Sequence, residues 1–229
     1  MHSIMRTNRN DIWVHPNAII RLFDKSVKLL GNKPLLKNRK YAPLREAWIA
    51  SVFLLGIREL SKKTWWLRVN PEENDVGDLF AWSYVEMSQN QTDAQTLSIQ
   101  VFTHRKTDSG NVYDGIKRKL NNRDLKGCKL VCYLMKDELI KWDYINNQIK
   151  SLSPKLGEIW IIGNIGNRRM GVFNIFPNKQ NTSINLDNNY QTIDEKTFIF
   201  PFRGLRKGKI FERLGSMVHL KPDFTFEDI

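Results

Sequence analysis

The sequence predicts an α/β protein in which a mixed central β-sheet is flanked by helices, and three observations carry the prediction. Runs rich in β-branched and aromatic residues recur after residue 63: TWWLRV, DLFAWSYVEM, TLSIQVFTH, CKLVCYLM and EIWIIGN. The third and fourth are separated by NVYDGIKRKLNNRDLKG, and the fourth and fifth by KDELIKWDYINNQIKSL, each with apolar residues at helical spacing. A long apolar helical stretch precedes them all. Strands first in a meander and then alternating with helices are the pattern of a mixed sheet covered by helices.

The elements follow in chain order. NAIIRLFDKSVKLLG places Ile19, Ile20, Phe23, Val27 and Leu30 on one helical stripe, with Gly31 as its stop. NKPLLKNRKYAP then reads as a basic linker. Residues 1–41 are thus expected to form a basic N-terminal helical extension, and 42–229 the α/β domain with a basic C-terminal segment. PLREAWIASVFLLGIRELSKK opens with Pro43 at a helix start and is apolar on most sides from Ala47 to Leu60, which predicts a buried helix. Trp65 and Trp66 cannot both stack on one base from alternate faces of a strand, so core is their simplest role. In the two later helices Tyr113, Ile116 and Leu120 form one stripe, and Leu139, Trp142, Ile145 and Ile149 the other. GNIGNRRMG lacks the GK[ST] of a phosphate loop and reads as a basic hairpin turn. RMGVFNIFP is a further strand, and the polar NKQNTSINLDNNYQ a loop.

The chain has 229 residues, 41% of them hydrophobic, enough for one sizeable core. Its 36 Lys and Arg against 24 Asp and Glu give a formal charge of +12. Such an excess concerns partners, with nucleic acid first and anionic membrane second; a basic surface kept for solubility is the plain alternative. Cys128 and Cys132, at i and i+4 on a strand, stand about 13 Å apart, too far for a disulfide. With no CxxC pair or Cys/His cluster a zinc site is not expected. Two buried thiols suit a reducing compartment. The N-terminus lacks an apolar signal core and no apolar run reaches membrane length, so a cytoplasmic protein with no membrane partner is expected.

Several polar residues interrupt the apolar runs at telling places. Glu46 lies in the first turn of the buried helix, Asp78 opens the second strand, Gln100 stands between Ile99 and Val101 in the third, and Lys117 and Lys119 ride on the helix after it. This order of helix, three-stranded meander, helix and strand resembles the core of the PD-(D/E)xK nuclease superfamily, over roughly residues 42–135. The resemblance implies a restriction-endonuclease-like core and a metal-dependent DNA endonuclease, in a defence or mobile-element setting. It implies that Glu46, Asp78 and Gln100 hold Mg²⁺ or Mn²⁺, and that Lys119, or Lys117, assists at the scissile phosphate. Gly77 stands where that family has Pro, Gln100 occupies the (D/E) position, and Phe102 the lysine position. The motif lysine would therefore come from the helix, and Lys119, three residues on from Ile116, is the first choice.

The chemistry has its own logic. Phosphodiester hydrolysis needs a hard cation to neutralise phosphate charge and activate water. Magnesium takes oxygen ligands, which two carboxylates and an amide provide, and a lysine stabilises the charged transition state. Ser98, Gln100 and Phe102 share one strand face and Leu97, Ile99 and Val101 the other; Asp78 and Gln100, on adjacent strands about 4.8 Å apart, can share one ion if both point to the same face. The basic flanks would grip phosphates, through Lys37, Arg39 and Lys40 near the N-terminus and Arg203, Arg206, Lys207 and Lys209, with Arg213, near the C-terminus. Plain readings stand beside these. Glu46 suits a helix N-terminus, the EENDVGD turn can be a solvated loop with Asp75 as understudy to Asp78, and helix lysines usually face solvent. Glu59 is expected to pair with a lysine, Glu86 to be an ordinary strand-end charge before it is a ligand, and His104 a strand-end histidine before it is a contact to phosphate or a proton carrier. The competing functions are a catalytically inactive nuclease-fold module that binds nucleic acid or assembles into a larger complex, favoured by Phe102, and an RNA-directed version. A single such site cuts one strand, so double-strand cleavage would require a homodimer or a protein partner.

Overall fold

In the computed structural model, which describes residues 13–68, 78–88, 91–122, 125–152, 157–187, 211–214 and 217–220, a two-residue strand β1 (Trp13–Val14) leads into helix α1 (Pro16–Leu30). His15 caps α1: its Nδ1 accepts the Asn17 N–H at 3.3 Å, and Pro16 supplies a preset first-turn φ. Gly31, at φ 79°, ends the helix while its N–H donates to the Val27 carbonyl at 2.8 Å. The expected linker is instead a short helix α2 (Asn32–Lys37) and a 3₁₀ turn at Arg39–Tyr41. The reason is tertiary. Leu35 is buried, and one Arg45 guanidinium nitrogen donates to the carbonyls of Leu35 at 2.6 Å and Asn38 at 2.7 Å. Helix α3 (Ala42–Ser61) follows and is buried on almost every side from Ala47 to Gly56. The burial expected as far as Leu60 stops there, because the last turn runs past the sheet with Glu59 and Leu60 exposed, and the helix closes at Lys62 in a left-handed conformation.

One eight-stranded sheet runs in chain order: β1, β2 (Trp66–Arg68), β3 (Leu79–Ser88), β4 (Gln91–His104), β5 (Lys129–Leu134), β6 (Glu158–Asn164), β7 (Arg169–Phe176) and β8 (Gln180–Asn185). Strands β1 to β4 are antiparallel, β4–β5–β6 parallel, and β6–β7–β8 antiparallel. The parallel steps are made by helices α4 (Val112–Asn122) and α5 (Trp142–Ser151), as such steps require a crossover. A separate hairpin, β9 (Phe211–Leu214) with β10 (Met217–Leu220), lies in the basic tail. The fold is therefore mixed α/β, with a mixed sheet between helices.

Two expected elements differ. The polar stretch after Phe176 is not all loop, because β8 pairs along β7. An edge strand with one covered face needs few apolar residues, and the Met170–Ile184 register turns Ile184 into the core while Gln180 and Asn181 stay in solvent. Helix α5 begins at Trp142 and not near Lys136. The preceding residues are held by other bonds: Lys136 Nζ donates to the Gly110 carbonyl at 2.7 Å, and Glu138 accepts the Val112 N–H at the start of α4 at 2.8 Å. Leu139, expected on the α5 stripe, is 84% exposed.

The sheet faces two apolar layers. Ile99, Val101, Val131, Trp160, Ile162 and Val172 pack with α3 and with Ile19, Ile20, Leu22 and Phe23 of α1, so the N-terminal helix shares the core of the domain. Leu130, Cys132, Ile159, Ile161 and Ile175 pack with Val112 and Ile116 of α4 and Ile145 and Ile149 of α5. Each fully buried Leu, Ile or Phe contributes about 1.5–3 kcal/mol. Trp65 is buried and Trp66 packs against the first layer. The GNIGNRRMG segment is the β6–β7 hairpin turn, in which Arg168 pairs with Asp24 at 2.5 Å and Asp187 at 2.6 Å. Among the described residues no helix is long and apolar enough to cross a membrane.

Candidate functional site

The ladder between β3 and β4 stops at one residue. Leu79 pairs with Ile99, and just before it the Asp78 N–H donates to the Ile99 carbonyl at 3.0 Å. Beyond this point the Asp78 carboxylate does what a further strand residue would do. Its Oδ2 accepts the Val101 N–H at 3.1 Å and a hydrogen bond from Gln100 Nε2. Gln100 is 1% exposed and lies on the α4 face of the sheet with Ser98 and Phe102, as alternation requires. Asp78 and Gln100 thus meet, because antiparallel register places their positions opposite each other.

Past Ile99, β4 has a strand neighbour on one side only, β5, among the described residues. Side chains from both faces of the sheet therefore reach a common space, a cleft of about 530 Å³. Its floor is the end of β4, Val101 to His104, and its walls are the first turns of α3 with Arg45 and Glu46, and α4 with Gly115, Arg118 and Lys119. Gly115 permits the close approach of α4, since a Cβ there would stand 3.3 Å from the Phe102 ring. Arg105 and Asp108 complete the rim, which carries four cations, Arg45, Arg105, Arg118 and Lys119, against the two carboxylates of Glu46 and Asp108. Burial, and then the neighbouring Arg105, lower the Arg45 pKa, with Glu46 pulling the other way. Like charges held this close favour an anionic occupant.

The expected residues divide accordingly. Glu46 and Lys119 line the cleft; Asp78 and Gln100 stand at its end, joined to it through Val101. Lys117 is exposed and outside it, and Phe102, at the motif-lysine position, lines the cleft and packs against the second core layer. Among the described residues no group of three or more His, Cys, Asp and Glu is placed to hold a metal ion. Lys37, Arg39 and Lys40 are exposed on α2 and the 3₁₀ turn. Arg203, Arg206, Lys207, Lys209 and Asp75 lie outside the described residues, as do the side chains of Arg213 and Glu86. Glu59 pairs with Lys62 at 3.5 Å. His104 is 1% exposed, with Nε2 3.3 Å from Glu138 and Nδ1 3.9 Å from Asp108. The sequence reading missed Arg45, Arg105 and Arg118. Arg45 and Arg118 were within reach, since they adjoin Glu46 and Lys119 in the same helical turns. No family model, curated protein or solved structure matches this chain.

Proposed function

We propose that this protein is a metal-dependent DNA endonuclease of the restriction-endonuclease-like kind, acting at the end of β4. The observation that carries the reading is the meeting of Asp78 and Gln100 beside Val101, a floor residue of a cleft rimmed by four cations. The chain order of α3, the β2–β4 meander, α4 and β5 supports the same reading.

The donor set fits a hard cation in kind. Asp78 and Gln100 are in contact and Glu46 lines the adjoining cleft, which offers two carboxylates and an amide oxygen. Gln100 turns its amide nitrogen to Asp78, and a half-turn about the terminal bond presents the oxygen instead. Bound there, Mg²⁺ or Mn²⁺ would supply charge neutralisation and an acidified water. The rest falls to the chain. Lys119, on the wall formed by α4, stabilises charge growing on the phosphate oxygens. Arg45, Arg105 and Arg118 hold flanking phosphates by attraction that ignores sequence and weakens with salt. The apolar Phe102 takes no part in the chemistry.

A second reading, a nucleic-acid-binding module of this fold without turnover, is favoured by Phe102 and by the hydrogen bonds that already satisfy Asp78. Plasmid DNA incubated with the protein and Mg²⁺ or Mn²⁺ separates the two. The nuclease reading predicts cleavage that Asp78→Asn and Lys119→Ala abolish while binding persists. Salt-sensitive binding with no cleavage by the wild type overturns it in favour of the module, and preference for single-stranded RNA moves the substrate from DNA to RNA. Linear product without a nicked intermediate would call for a homodimer or a partner subunit.

A further inference from the structure

The wall of the cleft has a second side. A hollow of about 290 Å³ lies against it, lined by Tyr113, Glu138, Leu139, Lys141 and Tyr144 among others. The two spaces share a partition: His104 lines the cleft, Glu138 lines the hollow, and their side chains are 3.3 Å apart. Large apolar side chains are rarely left in water in clusters, yet Leu139 is 84% and Tyr144 54% exposed, and both belong to this hollow. Their exposure has a structural cause. Residues 136–141 are held across the start of α4 by Lys136 and Glu138, so Leu139 never joins the stripe of α5. Tyr144 is steadied by Tyr113, edge-on at 6.5 Å between ring centroids.

We propose that this hollow is a nucleobase subsite that takes one unpaired base of the strand whose phosphates occupy the cleft, so that the preferred substrate is single-stranded or carries an unstacked base. The inference rests on the nucleic-acid reading above. Its own support is the chemistry of the hollow and its place beside the cationic cleft, across the His104–Glu138 partition. A half-exposed tyrosine backed by a second ring offers a flat apolar face, which stacks on any base because every base has a π-face. Leu139 supplies apolar cover, and Lys141 a cation for the neighbouring phosphate. Paired bases inside a duplex have both faces occupied and cannot use such a platform. A base in a single strand can.

The test uses the full chain, without divalent metal so that nothing is cut, and a 12-nucleotide single strand carrying 2-aminopurine, with a duplex of the same length as control. The variants are Tyr144→Ala, Leu139→Ser and Tyr144→Phe, all at exposed positions. Tyr144→Ala should weaken single-strand binding about tenfold, since one stacked base is worth about 1–3 kcal/mol. It should also abolish the quenching of 2-aminopurine, while duplex affinity stays within about twofold and Tyr144→Phe behaves as wild type. Equal single-strand affinity of wild type and Tyr144→Ala, with duplex binding intact, overturns the subsite alone. Loss of self-association in Tyr144→Ala with oligonucleotide affinity unchanged assigns the hollow to a protein contact and likewise overturns it. Failure of the wild type to bind either oligonucleotide removes the nucleic-acid reading and the subsite with it.

Discussion

Replacing Asp78 separates its structural work from its proposed chemistry. The carboxylate accepts the Val101 N–H at 3.1 Å and the Gln100 amide, and Gln100 is almost fully buried. Asp78→Ala removes the acceptor both donors share. A hydrogen bond to a charged group contributes about 1.5–3 kcal/mol net, and leaving buried donors poorly satisfied costs a similar amount. Because Asp78 is half-buried, the low end applies, and a loss of about 2–3 kcal/mol is expected. Asp78→Asn keeps a carbonyl oxygen in the same place and loses only the charge assistance, about 1 kcal/mol. At about 2–4 °C per kcal/mol for a chain of this size, the midpoint should fall by roughly 4–12 °C for Ala and 2–4 °C for Asn. Thermal melts followed by tryptophan fluorescence measure both. Gln100→Leu in the Asp78→Ala background should cost less than in the wild type, giving a coupling of about 1 kcal/mol in a double-mutant cycle. Equal melts for Ala and Asn, or additive single and double variants, would refute the argument that this carboxylate terminates the β3–β4 ladder.

Three further outcomes follow from other parts of the molecule. Burial first, and then Arg58 and Arg21, lower the His15 pKa from 6.5 to about 4, so its neutral form caps α1. The unfolded chain then takes up this proton first: the stability is complete above pH 6.5 and drains away as pH falls toward 4, by about 3 kcal/mol at about 1.4 kcal/mol per pH unit. His15→Asn, which retains a capping oxygen, should flatten that part of a stability–pH curve; an unchanged slope contradicts the assignment. Gly56→Ala places a Cβ 2.7 Å from Val172 Cγ1, where α3 meets β7, and should cost about 1–3 kcal/mol in denaturant melts, since helix and sheet cannot separate freely. Burial pushes the Cys132 thiol up, so in the native protein it should resist thiol-reactive probes that label it readily in urea; fast native labelling would show that the layer beneath α4 opens.

What could be read from the sequence was whatever depends on local pattern. The apolar run from Ala47 to Leu60 announced a helix buried on most sides, which holds as far as Gly56, and the alternation around Gln100 announced which side chains share a face. The Asp78–Gln100 contact was legible only as a condition, two adjacent strands with both side chains on one face; the Leu79–Ile99 register that meets it comes from the folded sheet. Elements decided by distant partners were not. Helix α2 depends on Arg45 collecting two carbonyls, and β8 on a strand beside it, since Ile184 alone marks its inner face. The start of α5 is displaced because Glu138 caps α4 instead of extending its own helix. The site follows the same rule. Lys119 was placed by helical phase from Ile116, whereas Arg105 joins the rim only because β4 outruns β3, which no local window contains.

A metal-dependent nuclease requires that oxygen atoms at the end of the β3–β4 ladder hold a divalent ion. Anomalous diffraction from crystals soaked in Mn²⁺ locates such an ion directly. One peak is expected within about 2.5 Å of an Asp78 carboxylate oxygen, with the Gln100 amide turned so that its oxygen faces the metal. A cleft without manganese at saturating soak, with the Gln100 nitrogen still bonded to Asp78, would contradict it.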